Sequence, residues 1–210
     1  MKKLLFALPI LALLFSHQMT IAQNKANLKD LLFVATFDNY DQWYNKAFKS
    51  DAIRRANFCD EPNTINAMID QKSALIVLRD FDMRKMGAFS SDKKMAEVMT
   101  SYNIQHPEVY QIESLGPNNM PKGKSNLMFI ISSVDYDMWA WDAFYPDSER
   151  RSKFCNEDKT RVAKINDKQS MVILYDFDLS KMNEFMSDDK VNVLIKKHRV
   201  THDVYVMKSL

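Results

Sequence analysis

Residues 40–48 read Tyr40-Asp41-Gln42-Trp43-Tyr44-Asn45-Lys46-Ala47-Phe48, and 96 positions later the chain reads Tyr136-Asp137-Met138-Trp139-Ala140-Trp141-Asp142-Ala143-Phe144. Working outward from that pair, residues 31–106 lie on residues 127–202 without a gap, and 28 of the 76 pairs are identical. The match carries Arg54-Arg55 onto Arg150-Arg151, Phe58-Cys59 onto Phe154-Cys155, and Asp80-Phe81-Asp82 onto Asp176-Phe177-Asp178. After one extra residue at Pro107, Val109-Tyr110 meets Val204-Tyr205. Similarity at a fixed period over this length marks a duplicated folding unit. Between the copies, residues 116–124 hold two of the chain's three glycines and two of its six prolines, the composition of a linker.

Residues 31–36 and 127–132 are apolar at nearly every position, which predicts a strand buried on both faces. Over 41–58 and 137–154 the apolar residues fall at helical spacing (Trp43 and Ala47; Trp139 and Ala143). Ser50-Asp51 and Pro146 predict a break midway through that helix. A hairpin turns at Asp70-Gln71-Lys72-Ser73 and at Asn166-Asp167-Lys168-Gln169. A second helix starts near Asp82 or Asp178, restarts after Ser91 or Ser187, and ends before His106 or His202; a short strand (109–113 or 204–208) closes each unit. This β-α-β-β-α-β order is the ferredoxin-like split βαβ, an α+β unit with helices on one face of an antiparallel sheet. One such sheet leaves its other apolar face bare. Two tandem ferredoxin-like repeats, residues 23–115 and 125–210, are therefore expected to pack sheet to sheet as an intramolecular dimeric α+β barrel.

Lys2-Lys3, the apolar run 4–15 and Thr20-Ile21-Ala22 predict a signal peptide over residues 1–22, cleaved before Gln23. The apolar run is shorter than the ~20 residues that a membrane span needs. The expected mature protein is exported, to the periplasm or the extracellular space, and free of the membrane after cleavage. Loss of Lys2 and Lys3 leaves 29 − 2 = 27 basic against 27 acidic residues. A neutral chain argues against nucleic acid as a partner, because phosphate binding needs a basic excess. Three glycines leave no room for a glycine-rich phosphate loop.

The hydrophobic strand, Tyr-Asp-x-Trp-x-x-x-Ala-Phe, the arginine, the hairpin, Asp-Phe-Asp and Phe-x-Ser-Asp (Phe89 to Asp92, Phe185 to Asp188) together resemble the dimeric α+β barrel superfamily. Its members include relatives of antibiotic-biosynthesis and haem-degrading monooxygenases and cyclase-like domains of unknown function. The resemblance runs from about residue 28 to 210 and rests on fold markers. It implies small organic substrates and, in some relatives, cofactor-free oxygenase, isomerase or lyase chemistry. Haem-degrading relatives carry an asparagine on the first strand, where this chain has Thr36 and Ser132 toward the strand's end. Tandem haem-binding relatives would use a histidine such as His198, which nothing else in the sequence supports. No cofactor is assigned.

Arg54 and Arg150 follow Trp43 and Trp139 by 11 residues, three helical turns, so in an unbroken helix they share a face. Each arginine either points into a helix–sheet cleft beside its tryptophan, holding a carboxylate or enolate, or is rotated away by the break, so that Arg54 turns to solvent or pairs with Asp51 three residues before it. His106 and His202 are candidates for a general base, or for capping a helix C-terminus. His198 and His202 lack a third ligand by spacing, so no metal site is assigned. Asp82 and Asp178 are expected to N-cap the following helix rather than hold a cation, and Ser91-Asp92 and Ser187-Asp188 repeat that logic. Cys59 and Cys155 are expected as two separate buried thiols. Trp43, Trp139, Trp141 and the phenylalanines and methionines supply a core or line a hydrophobic cavity. Two functions follow. One is a site for an apolar or aromatic small molecule, with or without an anionic group, with cofactor-independent chemistry; the other is a non-catalytic binding or interaction module. The expected assembly is a monomeric pseudo-dimer. His198 against Tyr102 and Trp141 against Asn45 suggest that the repeats have diverged in use.

Overall fold

A computed structural model describes residues 27–105, 107–116 and 121–210. The expected signal peptide, His106 and linker residues 117–120 lie outside them. The first repeat runs β1 (Leu28–Thr36), a composite helix α1 (40–55), β2 (Asp60–Asp70), β3 (Ser73–Asp82), α2 (Met86–Ser90), α3 (Lys93–Ser101) and β4 (Glu108–Ser114). The second runs β5 (Lys124–Ser132), α4 (136–151), β6 (Asn156–Asn166), β7 (Gln169–Asp178), α5 (Met182–Met186), α6 (Asp189–His198) and β8 (Thr201–Ser209). The chain is α+β, with the β-α-β-β-α-β unit twice.

Among the described residues the strands close into one antiparallel barrel in the order β1-β3-β2-β6-β7-β5-β8-β4. Register at the two seams between repeats explains why the copies fit. At the β4–β8 seam Ile112 pairs with Met207, its own equivalent, flanked by Gln111 on Lys208 and Glu113 on Val206. At the β2–β6 seam Met68 pairs with Lys164, exactly 96 residues apart in the duplication. A residue facing its own counterpart lies on a two-fold axis, so both seams are self-complementary as in an isologous dimer. Cross-repeat contacts obey the same axis: Arg79 donates to the Tyr205 hydroxyl at 3.1 Å, and the equivalent Tyr175 ring packs edge-on to Tyr110 at 6.4 Å.

Alternation along the strands then sorts the apolar residues. Leu32, Leu75, Val77, Met128, Met171 and Ile173 fill the barrel interior. Leu31, Leu78 and Phe81 pack outward under the helices of the first repeat, and Leu127, Leu174 and Phe177 outward under those of the second. Both faces of the first strand of each repeat are buried because each serves a different core.

The break in the first helix is a regular device. In α1 an α-turn (Tyr40–Trp43) widens to a π-turn (Tyr44–Phe48), tightens to a 3-10 turn (Lys49–Asp51) and resumes as α (Ala52–Arg55). The same order recurs in α4, with Pro146 inside its 3-10 turn, where a missing N–H does least harm. Asn39 and Asp135 cap these helices by accepting from Gln42 and Met138 backbone N–H groups. The irregular turn frees a carbonyl, which the buried Arg55 or Arg151 satisfies: Arg55 Nη1 donates to Phe48 O, and Arg151 Nη1 to Phe144 O.

Asp82 and Asp178 cap the next turn, accepting from Arg84 and Ser180 N–H at 3.1 Å. Asp92 and Asp188 cap α3 and α6. Asp80 and Asp176 do not continue the strand's alternation. Their φ values of +49° and +55° are left-handed, at a bulge where Arg79-Asp80 face the single residue Asp30. The helix-cap role offered for His202 is corrected: α6 ends at His198 on a left-handed Arg199, and His202 belongs to β8, opposite Ile131. Cys59 and Cys155 are free thiols that are half-buried rather than buried, each donating to the carbonyl four residues back.

Candidate functional site

The candidate site lies in the second repeat, between the outer face of its sheet and the helices. Phe129 and Ile131 of β5 and Val172 and Leu174 of β7 form the floor of a cavity of about 140 Å³. Trp139, Ala143 and Phe144 of α4, with Val191, Leu194 and Ile195 of α6, form its roof. Phe185 and Met186 close one side, Asp147, Arg150 and Arg151 stand along an edge, and Val200 and His202 complete the lining. Three residues singled out in the sequence, Trp139, Arg150 and His202, are thus gathered around one space.

Each plays a different part. Trp139 is buried, with its ring 5.6 Å from that of Phe144. Arg150 does not present an open guanidinium: Nε and Nη2 reach the two Asp147 carboxylate oxygens at 2.6 and 2.7 Å. Its Nη1 donates to Phe185 O at 3.0 Å, and the guanidinium lies over the Phe185 ring. The 3-10 turn sets this pairing, because it puts Asp147 three residues before Arg150. His202 is exposed, its ring 6.0 Å from Phe129, and so sits at the mouth.

The first repeat places Arg54 in the same way, on Asp51 at 2.7 and 2.6 Å, with Asp92 at 3.3 Å from Nη1. Its aromatic surroundings differ. Trp43 is stacked on Phe37 at 4.7 Å, and Tyr40 on Tyr44 at 5.4 Å. Phe37, Tyr44 and Met95 correspond to Ser133, Ala140 and Val191 in the second repeat. Of these, Val191 lines the cavity, where the first repeat carries the longer Met95.

Other candidates go elsewhere. Trp141 does not line the cavity; it is 71% exposed on the outer side of α4. His198 is buried at the end of α6, with Nε2 3.5 Å from Asp142 Oδ2 and neither ring nitrogen hydrogen-bonded. Among the described residues no three of His, Cys, Asp or Glu gather as metal ligands. Sequence reasoning missed Arg55 and Arg151, the more buried arginine of each pair, which bind Glu61 and Glu157 through two bonds each. The doubled Arg-Arg, with a glutamate six residues on in both repeats, was the available signal.

No protein-family model matches the chain, and no curated protein does. Solved structures do. One is an uncharacterised ferredoxin-fold protein from Listeria monocytogenes related to antibiotic biosynthesis monooxygenases, at 13% identity and TM-score 0.29, covering 87% of this chain and 96% of that one. Another is a monooxygenase-like protein from Listeria innocua, at 12% identity and TM-score 0.28, with the same coverage of 87% and 96%. Such values carry no chemistry across. Strand order and the two self-complementary seams make this chain a tandem dimeric α+β barrel of two ferredoxin-like repeats.

Proposed function

We propose that the second repeat binds a small apolar molecule, the size of a single aromatic ring, between α4, α6 and the sheet, in a protein that is exported. The cavity carries this reading. Its lining is apolar apart from one edge, and an apolar cavity of about 150 Å³ is enough to take up benzene. Export rests on the leader-like residues 1–22.

Binding is favoured over chemistry by the state of the ionisable lining groups. Asp147 and Arg150 neutralise each other, and Arg151 is held by Glu157. A ligand carboxylate would have to share Arg150 with Asp147, so a neutral ring fits better than an anion. His202 is the lining group left to move a proton, and cofactor-independent turnover would run through it.

Titration with indole, phenol and toluene, followed by backbone amide NMR, tests the site. Shifts should cluster on α4, α6 and β5, and Leu194→Trp, which fills the space, should abolish them while the fold persists. Shifts elsewhere, or binding unchanged in Leu194→Trp, would remove the proposal. His202→Ala separates the two functions: a binder keeps its affinity, whereas an enzyme keeps affinity and loses turnover.

A further inference from the structure

The arginine–aspartate pair at the edge of the cavity differs from its counterpart in the first repeat. There Asp51 lies between two arginines, with Arg54 Nη2 at 2.6 Å and Arg55 Nη1 at 4.0 Å from Oδ2, and its side chain is 9% exposed. Asp92 adds a second carboxylate 3.3 Å from Arg54 Nη1. Two carboxylates and two guanidiniums thus gather in one group. The second repeat keeps less of it. Phe185 O takes the place of Asp92 as the partner of Nη1. Among the described residues Arg150 alone pairs with Asp147, whose side chain is 23% exposed.

Donors and acceptors along that edge are therefore unequal. Every guanidinium nitrogen of Arg150 and Arg151 already donates to a carboxylate or a carbonyl. A carboxylate has about four lone-pair sites, and Asp147 uses one on each oxygen for Arg150. Its side chain does not cap the helical turn that follows. Among the described residues no other donor fills its remaining sites. We infer that Asp147 sets the specificity of this cavity: the molecule bound is a neutral ring with one hydrogen-bond donor, an N–H or O–H, which it gives to the Asp147 carboxylate. This rests on the binding site proposed above and narrows its class of ligand.

Hydrogen bonds to an ionised acceptor contribute more than neutral ones, and more still where water is kept away. His202, the other lining side chain with a ring nitrogen able to accept, is exposed at the mouth and meets water. An anion is repelled by Asp147 and finds the guanidinium already engaged. A hydrocarbon ring displaces water from the carboxylate and supplies no donor, which is how a site that hydrogen-bonds its ligand rejects the analogue lacking the group.

Amide NMR titrations of the native chain with toluene, aniline and phenol, rings of nearly the same shape, test the inference. Transfer out of water alone ranks toluene first, since its substituent is the most apolar. Aniline and phenol should instead bind about tenfold more tightly, with shifts on α4 and α6. Asp147→Asn, with unchanged circular dichroism, should remove that preference and admit benzoate, which the native chain should reject, because Arg150 then lacks its carboxylate. His202→Ala should leave the preference in place. If toluene binds the native chain as tightly as the other two, the inference falls while the cavity proposal stands; if none of the three binds, both fall. A preference that survives Asp147→Asn, or that disappears in His202→Ala, overturns the assignment to Asp147.

Discussion

His198 shows what a single position can cost. Its ring is 1% exposed, both nitrogens lack hydrogen bonds, and the matching residue in the first repeat is Tyr102. An unsatisfied buried polar group destabilises by about 1–3 kcal/mol. Exchange for an apolar residue of similar volume, His198→Met, should therefore stabilise the protein by about 1 kcal/mol in urea unfolding. The tyrosines make a second prediction. Burial pushes the phenols of Tyr40 and Tyr136 up to about 12, and raises those of Tyr110 and Tyr175 as well. The folded state holds these protons more tightly than the unfolded chain, whose tyrosines titrate near ~10. Their stabilising contribution is whole below about pH 10 and is lost as the pH climbs through the folded values. Absorbance at 295 nm should show four of the eight tyrosines ionising only as the protein unfolds.

Among the elements, the kinked helices depend on the arginine that reads their irregular turn. Arg151 is buried, holds Glu157 through two bonds and occupies the Phe144 carbonyl. Removing it leaves a carboxylate and a carbonyl unpaired in a poorly solvated place. Arg151→Ala should cost about 3 kcal/mol by urea unfolding, and Arg151→Lys should recover little, because an ammonium cannot fork to a carboxylate and a carbonyl together. The break itself was legible from Pro146 and Ser50-Asp51. The π-turn before it was not, since a carbonyl released by one extra residue per turn leaves no mark on apolar spacing. Likewise Asp80 reads as a regular strand residue until the bulge in β3 and its left-handed backbone are seen.

For the whole molecule, the seams predict how each half behaves alone. A residue paired with its own equivalent can pair with a copy of itself, so a chain of residues 27–115 should form a homodimer that rebuilds the barrel. Residues 121–210 should do so less well: at the β2–β6 seam the first repeat would set Met68 on Met68, the second Lys164 on Lys164, two like charges face to face. Light scattering of the two fragments should give a dimer for the first and a weaker, salt-strengthened one for the second. A first repeat that remains a stable monomer would mean that its bare sheet face does not need cover.

By itself the sequence determined the duplication, the order of elements, the caps at Asp82, Asp92, Asp178 and Asp188, and the need for a second sheet. Each follows from local spacing or from an apolar face that must be hidden. That the two sheets make a barrel was therefore expected; its strand order and seam register, the cavity under Trp139, the engagement of Arg150 by Asp147 and the outward turn of Trp141 were decided only in three dimensions. These depend on the angle at which a broken helix resumes and on the size of neighbours brought close from distant parts of the chain, quantities that linear spacing does not carry.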